Sequence, residues 1–262
     1  DSYVYYVYFV DTKDDGLFDL DHLKSLLRED TLLVSLIAVN SETGILQPLE
    51  AIASLCRNAK IFFHSDVTQA MGKVPINLSA LDFASCSAHK IYGPKGIGLL
   101  YRREDLSFIP LLHGGHSLSP YRSSTPQTAL IAAFVKALEL SILYQAERFA
   151  KVSQLKAYLV DKLSSISRVQ VNSNEHSLPH FVNISILKTR PEKGIDYFSA
   201  CDICLSSKSA CCGQDEYSAS VYAITKDMER AQSSYRISIS HLTTRAELDA
   251  LVEAIERMPY ED

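Results

Sequence analysis

The first half of the chain alternates strand-like and helix-like segments, and this pattern constrains the fold more than any other feature. Short apolar runs with strand-like composition occur at 4–10, 32–39, 60–63, 81–87 and 97–101. Segments with apolar residues at helical spacing, such as the stripe from Leu49 to Cys56, lie between the earlier runs. Strands that alternate with helices through short loops predict an α/β fold with a mostly parallel sheet covered on both faces.

Polar residues stand at the ends of three predicted strands. Asn40, Asp66 and Lys90 each follow such a run. In parallel α/β sheets, ligands bind at the carboxyl ends of the strands. The positions of these three residues therefore indicate a ligand site.

Lys90 is unusual for its position, because it follows a mostly apolar run and precedes a Gly-Pro-Lys-Gly turn at 93–96. A desolvated ammonium at the inner end of a buried strand is costly unless the lysine shifts its pKa or reacts. An amine that serves as a Schiff-base nucleophile can justify that cost, so Lys90 is predicted to carry a carbonyl cofactor. A solvated surface lysine is the commoner alternative at such a position.

The second half of the chain lacks strict alternation. A long helix-like segment at 125–159, broken or bent somewhere, is followed by three short strand-like runs. These runs lie at 181–187, 202–206 and 235–240. A terminal helix at 245–258 begins with Thr244 and Glu247, which are spaced as in a capping box. This order of elements predicts an α+β domain.

Length and composition are those of an ordinary folded protein. The 262 residues can form two domains, which we place at 1–145 and 146–262. A net charge of -5 without a basic block argues against a nucleic-acid partner. No apolar run reaches the roughly 18 residues that span a bilayer, and no leader peptide is recognisable, so we expect a cytoplasmic protein without a membrane partner.

Two further features concern the chain start and the cysteines. Residues 4–10 form a strand-like run directly after Asp1, without an initiator methionine, so we expect a fragment or an N-terminally truncated product. The six cysteines are expected to be free thiols in a chain of this length. Cys201 and Cys204 have a spacing that invites a metal site, but no second ligand pair follows them, so none is expected.

Six short motifs then follow one another in a recognisable order. They are Asn-Ser-Glu-Thr-Gly at 40–44, the runs 63–73 and 87–96, Arg-Ser-Ser-Thr at 122–125, Ser-Ser-Lys-Ser-Ala-Cys at 206–211 and Tyr-Arg-Ile-Ser at 235–238. Together they closely resemble the class V aminotransferase superfamily, and within it the NifS/IscS-like cysteine desulfurases. The resemblance runs through almost the whole chain. It implies a pyridoxal phosphate-dependent transferase-like large domain, incomplete at its N-terminus, and a smaller C-terminal domain.

The resemblance also implies a cofactor, pyridoxal 5′-phosphate, and a role for each matching residue. Lys90 would form the Schiff base and then carry the proton, and Asp66 would pair with the pyridinium nitrogen. The other expected cofactor ligands are Gln69 for the phenolate oxygen, Asn40 for the cofactor or the substrate, and Ser87 and His89 for the phosphate. Thr125 would reach the phosphate of the other subunit, which implies a homodimer.

The implied reaction is the desulfuration of L-cysteine to L-alanine. Arg236 would bind the substrate carboxylate, because a guanidinium group is bidentate and permanently charged. Cys211 would attack the substrate sulfur and retain it as a persulfide. A sulfur-acceptor protein is then an expected partner, with iron–sulfur cluster assembly or tRNA thiolation as the destination of the sulfur.

Three departures from the family pattern keep alternatives open. The family's upstream Gly-rich loop and Glu-His-Pro segment do not occur in this sequence. Lys208 replaces a loop glycine, and 113–117 reads His-Gly-Gly-His-Ser where the family has Gly-Gly-Gly-Gln-Glu. The roles of Lys208 and Cys212 stay open. The alternatives are another class V aminotransferase or lyase, or a truncated, non-catalytic dimerising homologue.

Overall fold

The chain divides into two units in the computed structural model, which describes residues 5–115, 119–207 and 216–259. The parallel-sheet unit contains the described residues of Glu29–Ala38 and Leu49–Gln145. The antiparallel-sheet unit contains those of Asp1–Arg28, Val39–Pro48 and Ala146–Asp262. Two early segments therefore belong with the C-terminal part of the chain. The division into domains at residue 145 stays a prediction.

The parallel-sheet unit is built on four strands in the order β1-β2-β3-β4. They are β1 (Leu33–Ile37), β2 (Phe62–Asp66), β3 (Phe83–Ser87) and β4 (Gly98–Arg102). The first three strands run parallel, and β4 pairs antiparallel with β3. This arrangement confirms the predicted α/β fold with a mostly parallel sheet.

The two faces of this sheet differ in burial. Side chains alternate between the faces because a strand repeats every two residues. Val34, Phe63 and Ala84 are buried on one face. On the other face, Leu33 and Phe62 lie side by side and are 46% and 38% exposed. The expectation that both faces are covered is therefore met on only one face within the described residues.

Short helices connect the strands of this unit. The helix α2 (Leu49–Asn58) buries the apolar stripe expected from its spacing, which includes Ile52 and Cys56. One-turn 3-10 helices at Leu78–Ala80 and Ala88–Ile91 precede and follow β3. The second of them places Lys90 immediately beyond the sheet.

The long helix-like segment of the sequence forms two helices. They are α3 (Thr128–Leu143) and α4 (Gln145–Ser164), separated at Tyr144, as the expectation of a broken helix requires. Among the described residues, no single helix is both long and apolar enough to cross a bilayer. Only α3 and α4 taken together, across their bend, meet such a test of length and composition.

The antiparallel-sheet unit has three strands in the order β5-β6-β7, all antiparallel. They are β5 (Val169–Val171), β6 (Phe181–Ile186) and β7 (Ser234–Ser238). Its other helices are α1 (Leu20–Leu26), α5 (Pro191–Ala200), α6 (Ala219–Thr225), α7 (Met228–Gln232) and α8 (Arg245–Arg257). Every residue of the central strand β6 is buried. Apolar residues of α4, β6, β7 and α8 form its core, so the predicted α+β character is confirmed.

Two predicted strands are wrong in the described residues. Residues 5–10 form no strand, and most of their aromatic side chains are exposed. The run at 202–206 contributes only an isolated bridge between Ser206 and Arg236. Both errors have the same cause, because strand propensity reflects packing against a neighbouring strand rather than an intrinsic preference.

The capping box predicted at the start of α8 is present. The Thr244 side chain accepts a hydrogen bond from the N–H of Glu247, and the Glu247 carboxylate accepts one from the N–H of Thr244. We expect Thr244→Ala to lower the free energy of unfolding by about 1 kcal/mol, because an orphan N–H of the first turn loses its acceptor. Urea unfolding followed by circular dichroism measures the change.

Glu247→Gln is the matched control for this prediction. Glutamine keeps an acceptor at the same position, so this variant should stay within about 0.5 kcal/mol of the parent chain. Equal unfolding midpoints for Thr244→Ala and the parent chain would show that the cap does not stabilise the unit.

Candidate active site

Asp66 lies at the carboxyl edge of the parallel strands as the last residue of β2. It pairs in register with Ile37 of β1 and Ser85 of β3. Its Oδ1 accepts a hydrogen bond of 2.9 Å from the backbone N–H of Thr68. This bond holds the half-buried carboxyl group against the turn that follows the strand. The edge of the sheet therefore presents an oriented acceptor.

His64 lies two residues before Asp66 and so on the same face of the sheet. Its Nδ1 is 2.8 Å from Ser35 Oγ, and its Nε2 is 3.1 Å from Ser85 Oγ. Burial lowers the pKa of the imidazole, and the Asp66 carboxylate opposes that shift. His64 was not among the site residues predicted from the sequence. Its two-residue spacing from Asp66 within a strand was the available signal.

Lys90 lies in the 3-10 helix Ala88–Ile91 directly after β3. Tyr92 ends this helix in the left-handed region, with φ 66°. The Lys90 side chain is exposed, so the premise that its ammonium is desolvated in a buried strand is wrong. The physical reason is that the strand ends at Ser87 and the helix carries the lysine out of the sheet. Lys90 nevertheless follows the carboxyl end of β3, the strand that pairs with the Asp66 strand β2.

The other predicted cofactor ligands of this unit lie near two strand ends and in one separate segment. Gln69 is half-buried in the turn after β2. Ser87 is the half-buried last residue of β3, and His89 is exposed in the 3-10 helix. Thr125 is exposed in the irregular segment that precedes α3. The parallel pairing of β2 with β3 therefore explains the grouping of three of these four residues.

Asn40 belongs to the antiparallel-sheet unit and begins a tight turn there. Its Oδ1 accepts hydrogen bonds of 2.9 Å from the N–H groups of Glu42 and Thr43. Its Nδ2 donates to Ser220 Oγ at 3.0 Å, and its carbonyl accepts from the N–H of Gly44 at 2.9 Å. The side-chain oxygen of Asn40 is occupied by the two N–H groups of the turn. The amide nitrogen is therefore the group that could exchange Ser220 for a ligand.

Arg236 lies half-buried in β7 of the same unit. Its Nη1 donates to the Ser41 carbonyl at 2.9 Å, and its Nη2 donates to Ser206 Oγ at 3.2 Å. Its buried Nε has no hydrogen-bond partner within the described part of the chain. Burial lowers the pKa of the guanidinium group, and Glu42 opposes that shift. A guanidinium group is suited to a carboxylate ligand, because its planar N–H groups can donate to both carboxylate oxygens.

Glu42 is a residue that sequence reasoning did not single out. It is only 3% exposed, and its Oε2 accepts a hydrogen bond of 2.5 Å from Ser218 Oγ. A buried carboxylate is costly unless it is hydrogen-bonded and paired. The Ser218 hydroxyl supplies the hydrogen bond, and the Glu42 charge acts on the Arg236 guanidinium group. The signal in the sequence was its place inside the turn motif at 40–44.

Several predicted residues lie outside the described part of the chain. They are the proposed nucleophile Cys211, its neighbours Lys208 and Cys212, and His116 and Ser117 of the histidine-containing loop. Cys201 and Cys204 are described and are exposed free thiols. In residues 5–115, 119–207 and 216–259 there is no group of three or more His, Cys, Asp or Glu side chains suited to a metal ion.

The side chains at the carboxyl ends of β2 and β3 carry chemical groups that suit pyridoxal 5′-phosphate. The oriented carboxyl of Asp66 suits a pyridinium nitrogen, and the exposed amine of Lys90 suits a carbonyl carbon. The Ser87 hydroxyl and the His89 imidazole are donors suited to a phosphate.

Comparison with known proteins then identifies the family. The family model described as aminotransferase class-V matches residues 3–251. This match spans most of the chain, so the chain belongs to the class-V aminotransferase family.

Individual relatives narrow the comparison. The chain is 40% identical over 261 residues to the mitochondrial cysteine desulfurase of Eremothecium gossypii, covering 97% of this chain and 53% of that protein. It is 38% identical over 256 residues to the cysteine desulfurase IscS of Pasteurella multocida, covering 95% and 63%. A solved NifS-like protein from Rickettsia africae superimposes with a TM-score of 0.86 at 33% identity, covering 94% of this chain and 68% of that chain. The chain thus spans between about half and two thirds of its relatives' lengths.

The titration of His64 tests the electrostatics at the β2 edge. We expect His64 to titrate below the ordinary histidine pKa, because burial disfavours the imidazolium. Asp66→Asn removes a negative charge that opposes this shift, so the midpoint should fall further. Because the unfolded chain binds the proton more readily, the stability that depends on neutral His64 is lost as the pH falls below about 6.5. NMR titration of the histidine ring measures both midpoints.

Asp105→Asn is the control, since Asp105 is an exposed carboxylate of the same unit that pairs with Arg103. It should leave the His64 midpoint unchanged. A higher His64 midpoint in Asp66→Asn than in the parent chain would contradict the assigned interaction.

The turn that begins at Asn40 depends on Gly44. Gly44 has φ +75°, and an added Cβ would lie 2.6 Å from Phe181 Cβ. We expect Gly44→Ala to lower the free energy of unfolding by roughly 1–3 kcal/mol, because both the backbone strain and the clash oppose the turn. Gly115→Ala is the control, since an added Cβ there meets nothing within 4 Å. Equal urea midpoints for the two variants would contradict this account.

Proposed function

We propose that the protein to which this chain belongs is a pyridoxal 5′-phosphate-dependent cysteine desulfurase, which converts L-cysteine to L-alanine. The observation that carries the proposal is the placement of Asp66, Ser87, His89 and Lys90 at the adjoining carboxyl ends of β2 and β3. The choice of reaction is supported by relatives named cysteine desulfurase that are 40% and 38% identical to this chain.

Residues of the parallel-sheet unit would hold the cofactor. Asp66, oriented by the N–H of Thr68, would pair with the ring nitrogen. Gln69 would donate to the phenolate oxygen, and Ser87 and His89 would donate to the phosphate. When bound, pyridoxal 5′-phosphate supplies an electron-withdrawing ring that accepts the electrons of the substrate's Cα–H bond.

Lys90 has two tasks in this proposal. Its amine would hold the carbonyl group of the cofactor, and as a free amine it would move the proton of the substrate Cα. Both tasks need an accessible nitrogen. The exposure of Lys90 on a one-turn helix after β3 meets that need.

Arg236 would bind the substrate carboxylate. Its Nε is buried and has no protein partner within the described residues, and its Nη groups already hold fixed positions on Ser41 and Ser206. A substrate carboxylate would form charge-assisted hydrogen bonds with the guanidinium group. Asn40 would contribute its amide nitrogen to the cofactor or the substrate.

Cys211 is the proposed sulfur nucleophile. Its thiolate attacks the sulfur of the bound cysteine, an S–S bond forms, and the Cβ–S bond of the substrate breaks. The electron pair of the broken bond stays on Cβ, which takes up a proton and becomes the methyl group of alanine. One thiol and one L-cysteine thus yield one persulfide and one L-alanine, without an external oxidant or reductant.

We also propose partners and a cellular location for the protein. A persulfide is a carrier form, so a sulfur-acceptor protein is the expected partner, and iron–sulfur cluster assembly or tRNA thiolation would use the sulfur. The homodimer expected from Thr125 and the cytoplasmic location are proposed on the sequence alone.

The test uses the purified 262-residue chain with pyridoxal 5′-phosphate and L-cysteine. Borohydride reduction followed by peptide mass spectrometry should find the pyridoxyl group on Lys90. Without reduction, L-cysteine should add one sulfur atom to Cys211 and release alanine. Cys211→Ala should lose both the persulfide and the alanine, whereas Cys204→Ala, which removes an exposed thiol, should keep both.

Other outcomes separate the alternatives. A pyridoxyl adduct on Lys90 together with full alanine release by Cys211→Ala would contradict the persulfide mechanism. An adduct with keto-acid formation and no persulfide would indicate transamination. The absence of any Lys90 adduct would contradict a pyridoxal phosphate enzyme and favour a non-catalytic homologue.

A further inference from the structure

Three polar side chains form a row across the parallel sheet, on the face that carries Asp66. Ser35 of β1 and His64 of β2 are paired in register, and Ser35 Oγ lies 2.8 Å from His64 Nδ1. On the other side of the ring, His64 Nε2 lies 3.1 Å from Ser85 Oγ of β3. The imidazole therefore bridges the serine hydroxyls of the two strands that flank β2.

The two distances indicate which ring nitrogen of His64 carries the proton. Burial lowers the pKa of His64 and Asp66 opposes that shift, so the ring is mostly neutral at pH 7, with one donor and one acceptor nitrogen. Hydrogen bonds that a hydroxyl donates are on average shorter than those that an N–H donates. The shorter contact therefore fits the Ser35 hydroxyl donating to Nδ1, and the longer one fits the Nε2–H group donating to Ser85 Oγ.

This assignment leaves the hydroxyl hydrogen of Ser85 available to another acceptor. A serine has one O–H donor, and Ser85 Oγ here acts as the acceptor. Within the described part of the chain, His64 is the one hydrogen-bond partner of this oxygen. Ser85 is half-buried, so a ligand on this face of the sheet can reach it.

Ser85 lies between two residues that the proposed function assigns to the cofactor. It is paired in register with Asp66, and Ser87 follows it by two residues on the same face of β3. Two residues of a strand span about 6–7 Å, which two donors can bridge by binding different oxygens of one phosphate group. The hydroxyls of Ser85 and Ser87 are therefore suited to the same anion.

We propose that Ser85 donates its hydroxyl hydrogen to a phosphate oxygen of pyridoxal 5′-phosphate, and that His64 is the positioning residue that turns the hydroxyl toward it. This inference rests on the proposed function and adds two residues to the site described there. In the opposite tautomer, the Ser85 hydroxyl would donate to Nε2 and present only lone pairs, which repel a phosphate oxygen. The orientation of one hydrogen thus decides whether Ser85 attracts the phosphate.

The experiment compares the binding of pyridoxal 5′-phosphate with that of pyridoxal, which lacks the phosphate, by equilibrium dialysis against the full chain. Ser85→Ala should weaken pyridoxal 5′-phosphate binding about tenfold to hundredfold, because a hydrogen bond to a charged group is lost. It should leave pyridoxal binding unchanged. Ser85→Thr keeps the hydroxyl and should bind like the parent chain, as should Ser54→Ala, which removes an exposed helix hydroxyl of the same unit.

His64 is tested with amide side chains that replace one ring nitrogen at a time. The amide of His64→Gln reaches the place of Nε2 and can donate to Ser85, so this variant should keep its affinity for pyridoxal 5′-phosphate. The amide of His64→Asn reaches only the place of Nδ1, so its affinity should fall toward that of Ser85→Ala. The double variant His64→Asn/Ser85→Ala should bind no more weakly than Ser85→Ala, because the two residues act through one hydrogen bond. Ring nitrogen chemical shifts of the cofactor-free chain should show the Nε2–H tautomer.

Several outcomes would overturn the inference. They are the Nδ1–H tautomer in the parent chain, an unchanged affinity of Ser85→Ala for pyridoxal 5′-phosphate, and an equal loss of affinity for pyridoxal. If Ser85→Ala does not fold, equal affinities of His64→Gln and His64→Asn would overturn it as well. A parent chain that does not bind pyridoxal 5′-phosphate would instead refute the proposed function itself, so the two failures are distinguishable.

Discussion

The parallel pairing of β2 with β3 is the interaction on which the candidate site depends. It sets Asp66 beside Ser85 in register, and it directs both strands toward the same edge of the sheet. The turn after β2 and the helix after β3 then deliver Gln69 and Lys90 to that edge. A register shift of one residue would move Asp66 to the opposite face, because side chains alternate with a period of two. The site is therefore a consequence of strand register rather than of any single residue.

In the antiparallel-sheet unit, the charged side chains of Glu42 and Arg236 are held by hydrogen bonds to nearby polar groups rather than by strand register. Glu42 is buried and Arg236 is half-buried. Burying a charge is costly, and a buried polar network with missing hydrogen bonds is less stable than an apolar core. The hydrogen-bond partners of each buried group therefore matter. The buried Arg236 Nε, which lacks a protein partner in the described residues, is the one exception among these contacts. The role of Arg236 in binding the substrate carboxylate is a proposal from the family resemblance of the motif at 235–238.

Much of the fold could be predicted from the apolar pattern, and the errors have physical causes. The strands at 32–39, 81–87 and 97–101 were recognisable, because each is a short, mostly apolar run of strand length. The run at 60–63 was placed too early, since β2 extends through polar residues to Asp66 by pairing with β1. Residues 5–10 have strand-like composition but form no strand, because composition carries no information about a partner strand.

The sequence by itself determined the family motifs, their order, and hence the chemical types present: a lysine, a carboxylate, phosphate donors, an arginine and a cysteine. These residue types are read directly from the sequence, so no coordinates are needed to know them. Only the tertiary structure decided that Lys90 is exposed, that His64 lies within hydrogen-bonding distance of Ser85, and that Lys73 touches the Lys90 helix. Burial and cross-strand proximity arise from contacts between residues distant in sequence, and a linear pattern does not contain them.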